Sequence, residues 1–436
     1  MGNQHLTEPV DAAIAARLAE QGLRMALLDM SDRAAVEAWS EAATRGFHGG
    51  RLTAERHTEY LEANRARRNT GVWDDSSTSP EPAGTSNSWV SRLAVPGDRT
   101  IEASAISTVT VASTHHKRGI ARALLEGELA AAVSVGLPMA MLTVSESSLY
   151  QRYGFAPAAW AADYEVNARR VTWSGPTPAG QVEYISNERF AEHLGELHTR
   201  LMVRSPGQVD LWPLRIAQIA GTSAADDERG KKLRAIRYVD AAGETRGIAN
   251  YTISGGDDDF TAHTLTVNHL LTESPHAYAA IWRYLLEVPL VAKIKVEHQR
   301  TDEPVLWMIT DMRAATVTVW EHQYLRILDV PAALEGRGYL SDGEVVFDVT
   351  DPYGHAAGRW LLQVRDGVGS VTPAGETTGA PALELGVAEL SAMYLGGVRA
   401  ETLVRAGRVR ESGASACETA NKILAAKELP FLSIWY

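Results

Sequence analysis

The residues best suited to chemistry in this sequence form a basic turn, Lys117-Arg118-Gly119, between a β-rich segment and a helical one. The first N–H groups of a helix have no partner within it, and the helix dipole places partial positive charge there. Gly119 lets a bulky anion approach the backbone and the two cations add charge, so the turn suits a pyrophosphate. The preceding "TVTV" could pair its backbone with an extended, amide-bearing ligand. Coenzyme A has both parts; a solvated basic loop is the alternative.

The end of the chain is the second candidate. It reads "ELPFLSIWY", and most of its last residues are apolar or aromatic. Chain ends usually fray unless they are held, and each large apolar side chain left in water forfeits about 1.5–3 kcal/mol. We therefore expect the terminus to be docked, with its α-carboxylate held in a fixed place. The alternative is a structural tail that packs on the core and takes no part in chemistry.

The segment "ERHTEYLEANRARR" (55–68) is typical of a polar, basic helix. "SWVSRLAV" and "IEASAISTVTVAS", on either side of "PGDRT", are typical of a β-hairpin.

The elements around the basic turn follow from local patterns. "AISTVTVAS" is typical of a strand, "IARALLEGELAAAVSVG" of a helix that Gly136 and Pro138 end, and "LPMAMLTVSE" of a second strand. A strand–helix–strand unit favours a parallel or mixed sheet covered by helices. The segments "TAHTLTVNHLL", "SPHAYAAIWRYLLEV" and "AKIKVEHQ" repeat the plan without a basic turn. The offset of about 155 residues indicates duplicated domains and excludes a solenoid.

The last part of the chain has a different pattern. "GEVVFDVTD" and "GRWLLQVRD" alternate like strands, and "VAELSAMYLGG" and "ACETANKILAAKEL" are typical of helices. These segments predict a third, α+β unit. We predict an N-terminal arm over 1–20 and three domains over 21–175, 176–312 and 313–436.

Composition limits the class of protein. The 436 residues carry a net charge of −12, which disfavours nucleic-acid binding and favours a cationic substrate. The single cysteine, Cys417, excludes a disulfide framework and a cysteine-based metal site, and we expect no bound metal. No apolar run approaches the length of a membrane span, and the N-terminus lacks the pattern of a secretory signal. We expect a cytoplasmic protein.

Two segments, "VTVASTHHKRGIARALL" and "VSESSLYQRYGFAPA", resemble the GCN5-related N-acetyltransferases, and more closely their Eis (enhanced intracellular survival) group of bacterial aminoglycoside acetyltransferases. The resemblance implies two α+β acetyltransferase-like domains, the second degenerate and without cofactor, followed by a sterol-carrier-protein-like domain. "LRILDVPAALEGRGY" (325–339) is similar to the segment where the third domain begins in that family. The resemblance also implies acetyl-CoA as co-substrate and a homohexamer.

The resemblance assigns roles to residues of this chain. The general acid would be Tyr150, and the general base the terminal carboxylate of Tyr436. The residues that would bind acetyl-CoA lie on the strand, the turn with the helix start, and the segment after the next strand: Val109, Thr110, Val111, Lys117, Arg118, Gly119, Ile120, Ala121, Arg122, Ser145 and Glu146. This chain departs from the family pattern at Ser113, His116 and the final tyrosine, and the last change keeps the carboxylate.

The chemistry is consistent with these roles. An alkyl ammonium with a pKa near ~10 must lose a proton before it attacks a thioester, and a phenol with a similar pKa can protonate the leaving thiolate. An α-carboxylate is a weak base in water, and burial would strengthen it. The predicted function is direct acetylation of aminoglycoside-type amines. Two alternatives remain open: acetylation of protein lysines or polyamines, and a non-catalytic lipid or small-molecule binder with a vestigial site.

Overall fold

The computed structural model describes residues 2–375, 379–413 and 415–436. The chain forms two compact units. The first contains the residues up to Ala159 together with His322–Pro430 and Trp435–Tyr436, and the second contains Trp160–Glu321 and Phe431–Ile434. The chain passes from the first unit to the second within the strand 156–167 and returns to the first unit within the strand 315–327.

The N-terminal part of the first unit carries the predicted strand–helix–strand. Its helices and strands, up to the strand by which the chain leaves, are α1 (Gly2–Thr7), α2 (Ala12–Ala19), β1 (Leu23–Leu27), α3 (Arg33–Gly46), α4 (Ala54–Asn64), β2 (Arg68–Asp74), β3 (Gly84–Val95), β4 (Arg99–Val111), α5 (Ile120–Ser134), β5 (Met139–Thr143), α6 (Ser147–Tyr150) and β6 (Ala156–Asn167). Strands β3 and β4 form the predicted antiparallel hairpin, and β4 and β5 are parallel. Asp32 caps α3 by accepting from the backbone N–H groups of Ala34 and Ala35.

One sequence-based expectation in this part is wrong. The helix predicted over 55–68 ends at Asn64, and Arg68 begins β2. The Arg68 side chain is fully buried and forms an ion pair of 3.0 Å with Glu128 of α5. Because both charges are buried, each needs its partner, and this pairing holds Arg68 in the sheet against its helical preference.

The second unit repeats the plan. Its elements are β7 (Gln181–Ile185), α7 (Asn187–Leu201), α8 (Pro213–Ala220), α9 (Asp227–Lys232), β8 (Arg234–Val239), β9 (Thr245–Ser254), β10 (His263–Thr272), α10 (Pro275–Leu286), β11 (Val291–Gln299) and the returning strand β12 (Ala315–Ile327). Strands β10 and β11 are parallel and joined by α10, as predicted. The strand order in this unit is β6-β11-β10-β9-β8-β7. Its core packs α10 residues such as Trp282 against Tyr251 and Ile294 of the sheet.

The C-terminal part of the first unit forms the predicted third α+β region. It contains α11 (Val330–Gly336), β13 (Gly343–Thr350), β14 (Gly358–Arg365), β15 (Val368–Pro373), β16 (Ala382–Gly386), α12 (Val387–Met393), α13 (Ala400–Arg405), β17 (Val409–Ser412) and α14 (Ala416–Leu424). Its sheet has the order β15-β14-β13-β16-β17. The β3–β4 turn touches this region closely, since a Cβ on Gly97 would lie 2.6 Å from the Cα of Gly338.

Within the first unit the other sheet has the order β1-β2-β3-β4-β5-β12. The C-terminal half of β12 runs antiparallel to β5, with Gln323 opposite Thr143 and Ile327 opposite Met139. Among the described residues, no helix is both long and apolar enough to cross a membrane.

Candidate active site

The parallel strands β4 and β5 separate soon after they meet. Their pairing covers only Ser104 with Ala140 and Ala105 with Met141, although β4 continues to Val111 and β5 to Thr143. Beyond Ala105, β4 therefore has no sheet partner on its β5 side among the described residues. Unpaired strand groups are a template for an extended amide-bearing chain. The predicted pantetheine residues Val109, Thr110 and Val111 lie on this part of β4.

A β-bulge marks the start of the separation. Thr85 of β3 pairs with Thr110, but Asn87 pairs with Ser107, so β4 has one extra residue between these pairs. Thr108 lies in the bulge with a φ of 57°, which is strained for a β-branched residue. The Thr110 hydroxyl lies 2.7 Å from that of Thr85, which ties the end of β4 to β3. Bulges of this kind bend a strand and re-aim its groups, and they are common beside active sites.

The start of α5 has the features of an anion site. Gly119 is its N-cap residue, with a φ of 74°, and no side chain in the described part of the chain caps the helix. A Cβ on Gly119 would meet no atom within 4 Å, so the approach to the backbone is open. The N–H groups of Ile120, Ala121 and Arg122 are the first of the helix and have no partner within it. Lys117 is exposed beside them.

The corresponding helix of the second unit differs at this point. Ser274 caps α10 through its hydroxyl, which accepts from the N–H of Ala277, and Pro275 occupies the first turn. Ser274 thus provides a hydrogen-bond acceptor at the start of α10, whereas no described side chain provides one at the start of α5. The difference supports the prediction that this domain lacks the cofactor.

Arg118 makes contacts that the sequence did not indicate. Its guanidinium donates to Asp74 at the end of β2 at 2.9 Å and to the carbonyl of Gln21 at 2.6 Å. His115 lies 3.1 Å from the same Asp74 oxygen. Hydrogen bonds from Ser76 and Arg118 lower the pKa of Asp74 well below its ordinary value. Asp74 thus holds the turn at two points, beside a cavity of about 680 Å³ that Arg118 also lines.

The remaining predicted cofactor residues are exposed. Ser145 and Glu146 follow β5, and the Glu146 carboxylate accepts from the Ser148 hydroxyl at 2.9 Å. Arg122 projects from α5 and forms an ion pair with Glu126 one turn later, at 2.6 Å. The Arg122 guanidinium and the Glu146 carboxylate are therefore accessible to a ligand.

Tyr150 lies at the end of α6 and is buried. It packs edge to face on Phe155 within the core of β5 and α5. Burial, with a smaller effect of the Glu146 charge, raises the pKa of Tyr150 to about 12. The phenol therefore stays protonated at neutral pH, as a proton donor must.

The last residue of the chain contacts the end of β5. The Thr143 hydroxyl donates to the main-chain oxygen of Tyr436 at 2.6 Å, and the Tyr436 N–H approaches the same hydroxyl at 3.3 Å. The Tyr436 ring packs edge to face on Trp89, at a centroid distance of 5.6 Å. Burial raises the pKa of its phenol, and the Gln323 side chain partly offsets that effect. The predicted docking of the terminus is thus present in the structure.

Two residues of this region were missed by sequence reasoning. Thr143 anchors Tyr436, and Asp74 anchors Arg118, but neither belongs to a recognisable motif. Both contacts join positions far apart in the chain, and only the sheet brings them together. The only local sign of the Thr143 contact is that a polar residue ends a buried apolar strand.

The residues present fit the parts of acetyl-CoA. The unpaired length of β4 suits the pantetheine amides, and the uncapped helix start with Lys117 suits the pyrophosphate. Among the described residues, no group of three His, Cys, Asp or Glu side chains is arranged to hold a metal ion.

Comparison with known families agrees with this reading. Residues 31–158 and 209–327 each match an acetyltransferase (GNAT) domain, and residues 330–433 match a sterol carrier protein domain.

Several proteins similar to this chain are named as N-acetyltransferases. An uncharacterized N-acetyltransferase of Streptomyces griseus is 32% identical over 410 residues, which cover 90% of this chain and 95% of that protein. The N-acetyltransferase Eis of Mycobacterium bovis is 32% identical over 334 residues, or 73% of this chain and 77% of the relative. The crystal structure of Eis1 from Mycobacterium abscessus superposes with a TM-score of 0.79 at 25% identity, over 95% of this chain and all of that one.

Proposed function

This chain is an N-acetyltransferase of the Eis family, and we propose that it acetylates amines of aminoglycoside-type polycations. Its fold is that of two acetyltransferase domains followed by a sterol carrier protein domain. The net charge of −12 supports a polycationic acceptor, because a negative surface concentrates such molecules near the enzyme.

The co-substrate of the GNAT fold is acetyl-CoA, which supplies an acetyl thioester. We assign the pantetheine to Val109, Thr110 and Val111 and the pyrophosphate to the turn and helix start, Lys117–Arg122. Ser145 and Glu146 complete this assignment at the end of β5. Within it, Lys117 and the free N–H groups of α5 contribute most of the contact to phosphate, since Arg118 already binds Asp74.

We assign the two proton transfers to Tyr436 and Tyr150. The terminal carboxylate takes a proton from the acceptor ammonium, directly or through a water, and holds the amine by its charge. The Tyr150 phenol gives its proton to the departing thiolate. The neutral amine attacks the thioester carbonyl and forms the C–N bond, and the C–S bond breaks as Tyr150 protonates the sulfur. The second proton on the nitrogen then restores the Tyr150 phenol, directly or through solvent, so the products are the amide, coenzyme A and the one proton taken up by the carboxylate.

Direct transfer, without an acetyl group carried on the enzyme, is part of the proposal. The one cysteine, Cys417, is buried in α14, and burial with the nearby Glu411 raises its thiol pKa to about 11. A thiol that stays protonated is a poor nucleophile.

The observation that carries the proposal is the contact of Tyr436 with Thr143. It brings the end of the chain to the end of β5, the strand that leads into the helix carrying Tyr150, and so supports the assignment of both proton transfers to this region.

Extension of the chain tests the terminal base. A few small polar residues added after Tyr436 convert its carboxylate into an amide, which cannot accept a proton. We expect turnover, measured by thiol release, to fall at least about 100-fold. Acetyl-CoA binding, measured by calorimetry, should not change. The same residues added before Met1 are the control. Full turnover in the C-terminally extended protein would remove Tyr436 from the mechanism.

A panel of amines tests the acceptor. Aminoglycosides, spermidine and lysine-containing peptides are compared by thiol release under one set of conditions. Turnover of aminoglycosides with higher kcat/KM than the other classes supports the proposal. Turnover of peptides or spermidine alone would replace it with the lysine or polyamine alternative.

Cofactor calorimetry tests whether the chain is catalytic at all. Absence of acetyl-CoA binding at about millimolar concentration would favour the lipid or small-molecule binder with a vestigial site. For the assembly we propose a homohexamer of the 47.3 kDa chain, which light scattering would detect as six times that mass.

A further inference from the structure

The second unit repeats the strand separation found between β4 and β5. The parallel pairing of β10 with β11 runs from His263–Val291 to Val267–Val296, and both strands continue without further pairing to each other. The register of β10 shifts between Val267 and His269, so a bulge again marks the point of separation. His298, in the part of β11 that no longer pairs with β10, has a φ of 51°.

The bulge turns His269 away from the apolar core. Val267 belongs to the core under α10. Two residues later, His269 lies opposite Asn250 of β9, and the Asn250 amide donates to the carbonyl of Ile219 in α8 at 2.7 Å. Opposite residues of an antiparallel pair share a face of the sheet. His269 and Asn250 therefore lie on the face opposite α10, which α7 covers and where α8 supplies the Ile219 carbonyl.

Several polar atoms on this side are buried and lack a hydrogen-bond partner among the described residues. They include Nε2 of His269, Oδ1 of Asn250 and Nε of Arg215, which lies on α8. His269 is only 5% exposed. Each such atom costs free energy unless something outside the chain satisfies it, so their presence together points to a bound species.

The charges of Arg215 and His269 restrict the chemical class of the bound species. Arg215 forms no ion pair with a carboxylate among the described residues, and burial together with the Arg229 charge lowers its pKa. Burial, with the nearby His198 and Arg215, lowers the pKa of His269 to about 3, so this imidazole is neutral at pH 7. A water would satisfy the amide and the imidazole but would leave the guanidinium charge without a counter-ion.

We propose that Arg215, His269 and Asn250 form a binding site for a small oxyanion. The Arg215 and His269 N–H groups donate to its oxygens, and Asn250 Oδ1 accepts from a hydroxyl. Hydrogen phosphate carries both kinds of oxygen and is the form that the donor set favours; a carboxylate offers acceptors only. The domain without acetyl-CoA would thus retain an anion site at its own strand separation.

The test compares anions on the full chain. Thermal unfolding and calorimetry are recorded with inorganic phosphate, with acetate, and with chloride at matched ionic strength. We expect phosphate to raise the unfolding midpoint by at least about 2 °C at saturation, and chloride to leave it unchanged. A shift with acetate of equal size would assign the site to carboxylates instead of phosphates and would keep the oxyanion site.

Variants locate the binding. Arg215→Gln should abolish the phosphate shift and, because it removes a partly buried cation with no carboxylate partner among the described residues, should raise the midpoint in phosphate-free buffer. Arg283→Gln removes the same charge from an exposed pair with Glu287 and is the matched control. If Arg215→Gln fails to fold, His269→Gln serves, with at least a tenfold weaker phosphate affinity expected. No phosphate shift in the unaltered protein, or an equal shift in these variants, would overturn the proposal and leave ordered waters in its place.

Discussion

Single side chains decide the proposed chemistry, and Tyr150 is the first of them. Its ring packs on Phe155 while its hydroxyl is the ionisable group that the proposal uses. A substitution that removes only the hydroxyl therefore separates packing from proton transfer.

We predict that Tyr150→Phe lowers kcat at least about 100-fold and leaves the KM for acetyl-CoA nearly unchanged. Since the pKa of Tyr150 is raised to about 12, the unaltered enzyme should lose no activity through this group as the pH rises from 7 to about 10. Steady-state kinetics across that range measure both effects. Tyr153→Phe, in the same core, is the matched control. Equal losses in the two variants would argue against a special role for Tyr150.

Thr143 acts on Tyr436 through one hydroxyl. Thr143→Val keeps the shape of the side chain and removes the donor to the Tyr436 oxygen. We predict a loss of about 1 kcal/mol in the free energy of unfolding and a 10- to 100-fold lower kcat, since the terminal carboxylate loses its fixed position. Thr143→Ser keeps the hydroxyl and should retain most of the activity. A fully active valine variant would show that this hydrogen bond does not position the terminus.

At the scale of elements, the turn before α5 depends on β2. Asp74 holds both His115 and Arg118, so the turn keeps its shape before any ligand arrives. A preorganised loop loses less conformational entropy when it binds.

We predict that Asp74→Asn raises the KM for acetyl-CoA about tenfold with little change in kcat, because it weakens the charge-assisted contacts of the turn without touching the proton-transfer groups. The neighbouring Asp75→Asn removes an equal charge from an exposed pair with Arg24 and should change neither constant. A fall in kcat alone in the Asp74 variant would contradict the assignment of this residue to the cofactor turn.

Elements were predictable where their signals are local. The basic turn, Gly119 and the apolar stripe of α5 lie in one continuous stretch, and the family motifs fall on the same residues. The contact of Tyr436 with Thr143 joins positions that no local pattern relates, and Asp74 meets Arg118 only because the end of β2 lies near the start of α5. The end of α4 was missed because a buried ion pair, Arg68 with Glu128, overrides helix preference.

For the whole molecule, charge is the property that bears most directly on the proposed acceptor. We predict that kcat/KM for an aminoglycoside falls about tenfold as the salt concentration rises from low to roughly 0.5 M, because ions screen its attraction to a chain of net charge −12. A monoamine substrate should respond much less in the same thiol-release assay. An equal response would mean that the negative charge does not steer the acceptor. The domain boundaries at 176 and 313 stay predictions at this scale.

The placement of β12 beside β5 has a consequence for synthesis on the ribosome. Strand β5 is translated early, but the residues that pair with it, Gln323–Ile327, emerge only after Trp160–Glu321 of the second unit have been made. Until then the nascent chain presents an apolar strand with one open edge, which is prone to pair with other chains. The speed of translation through the second unit therefore sets how long the first unit is vulnerable to misfolding.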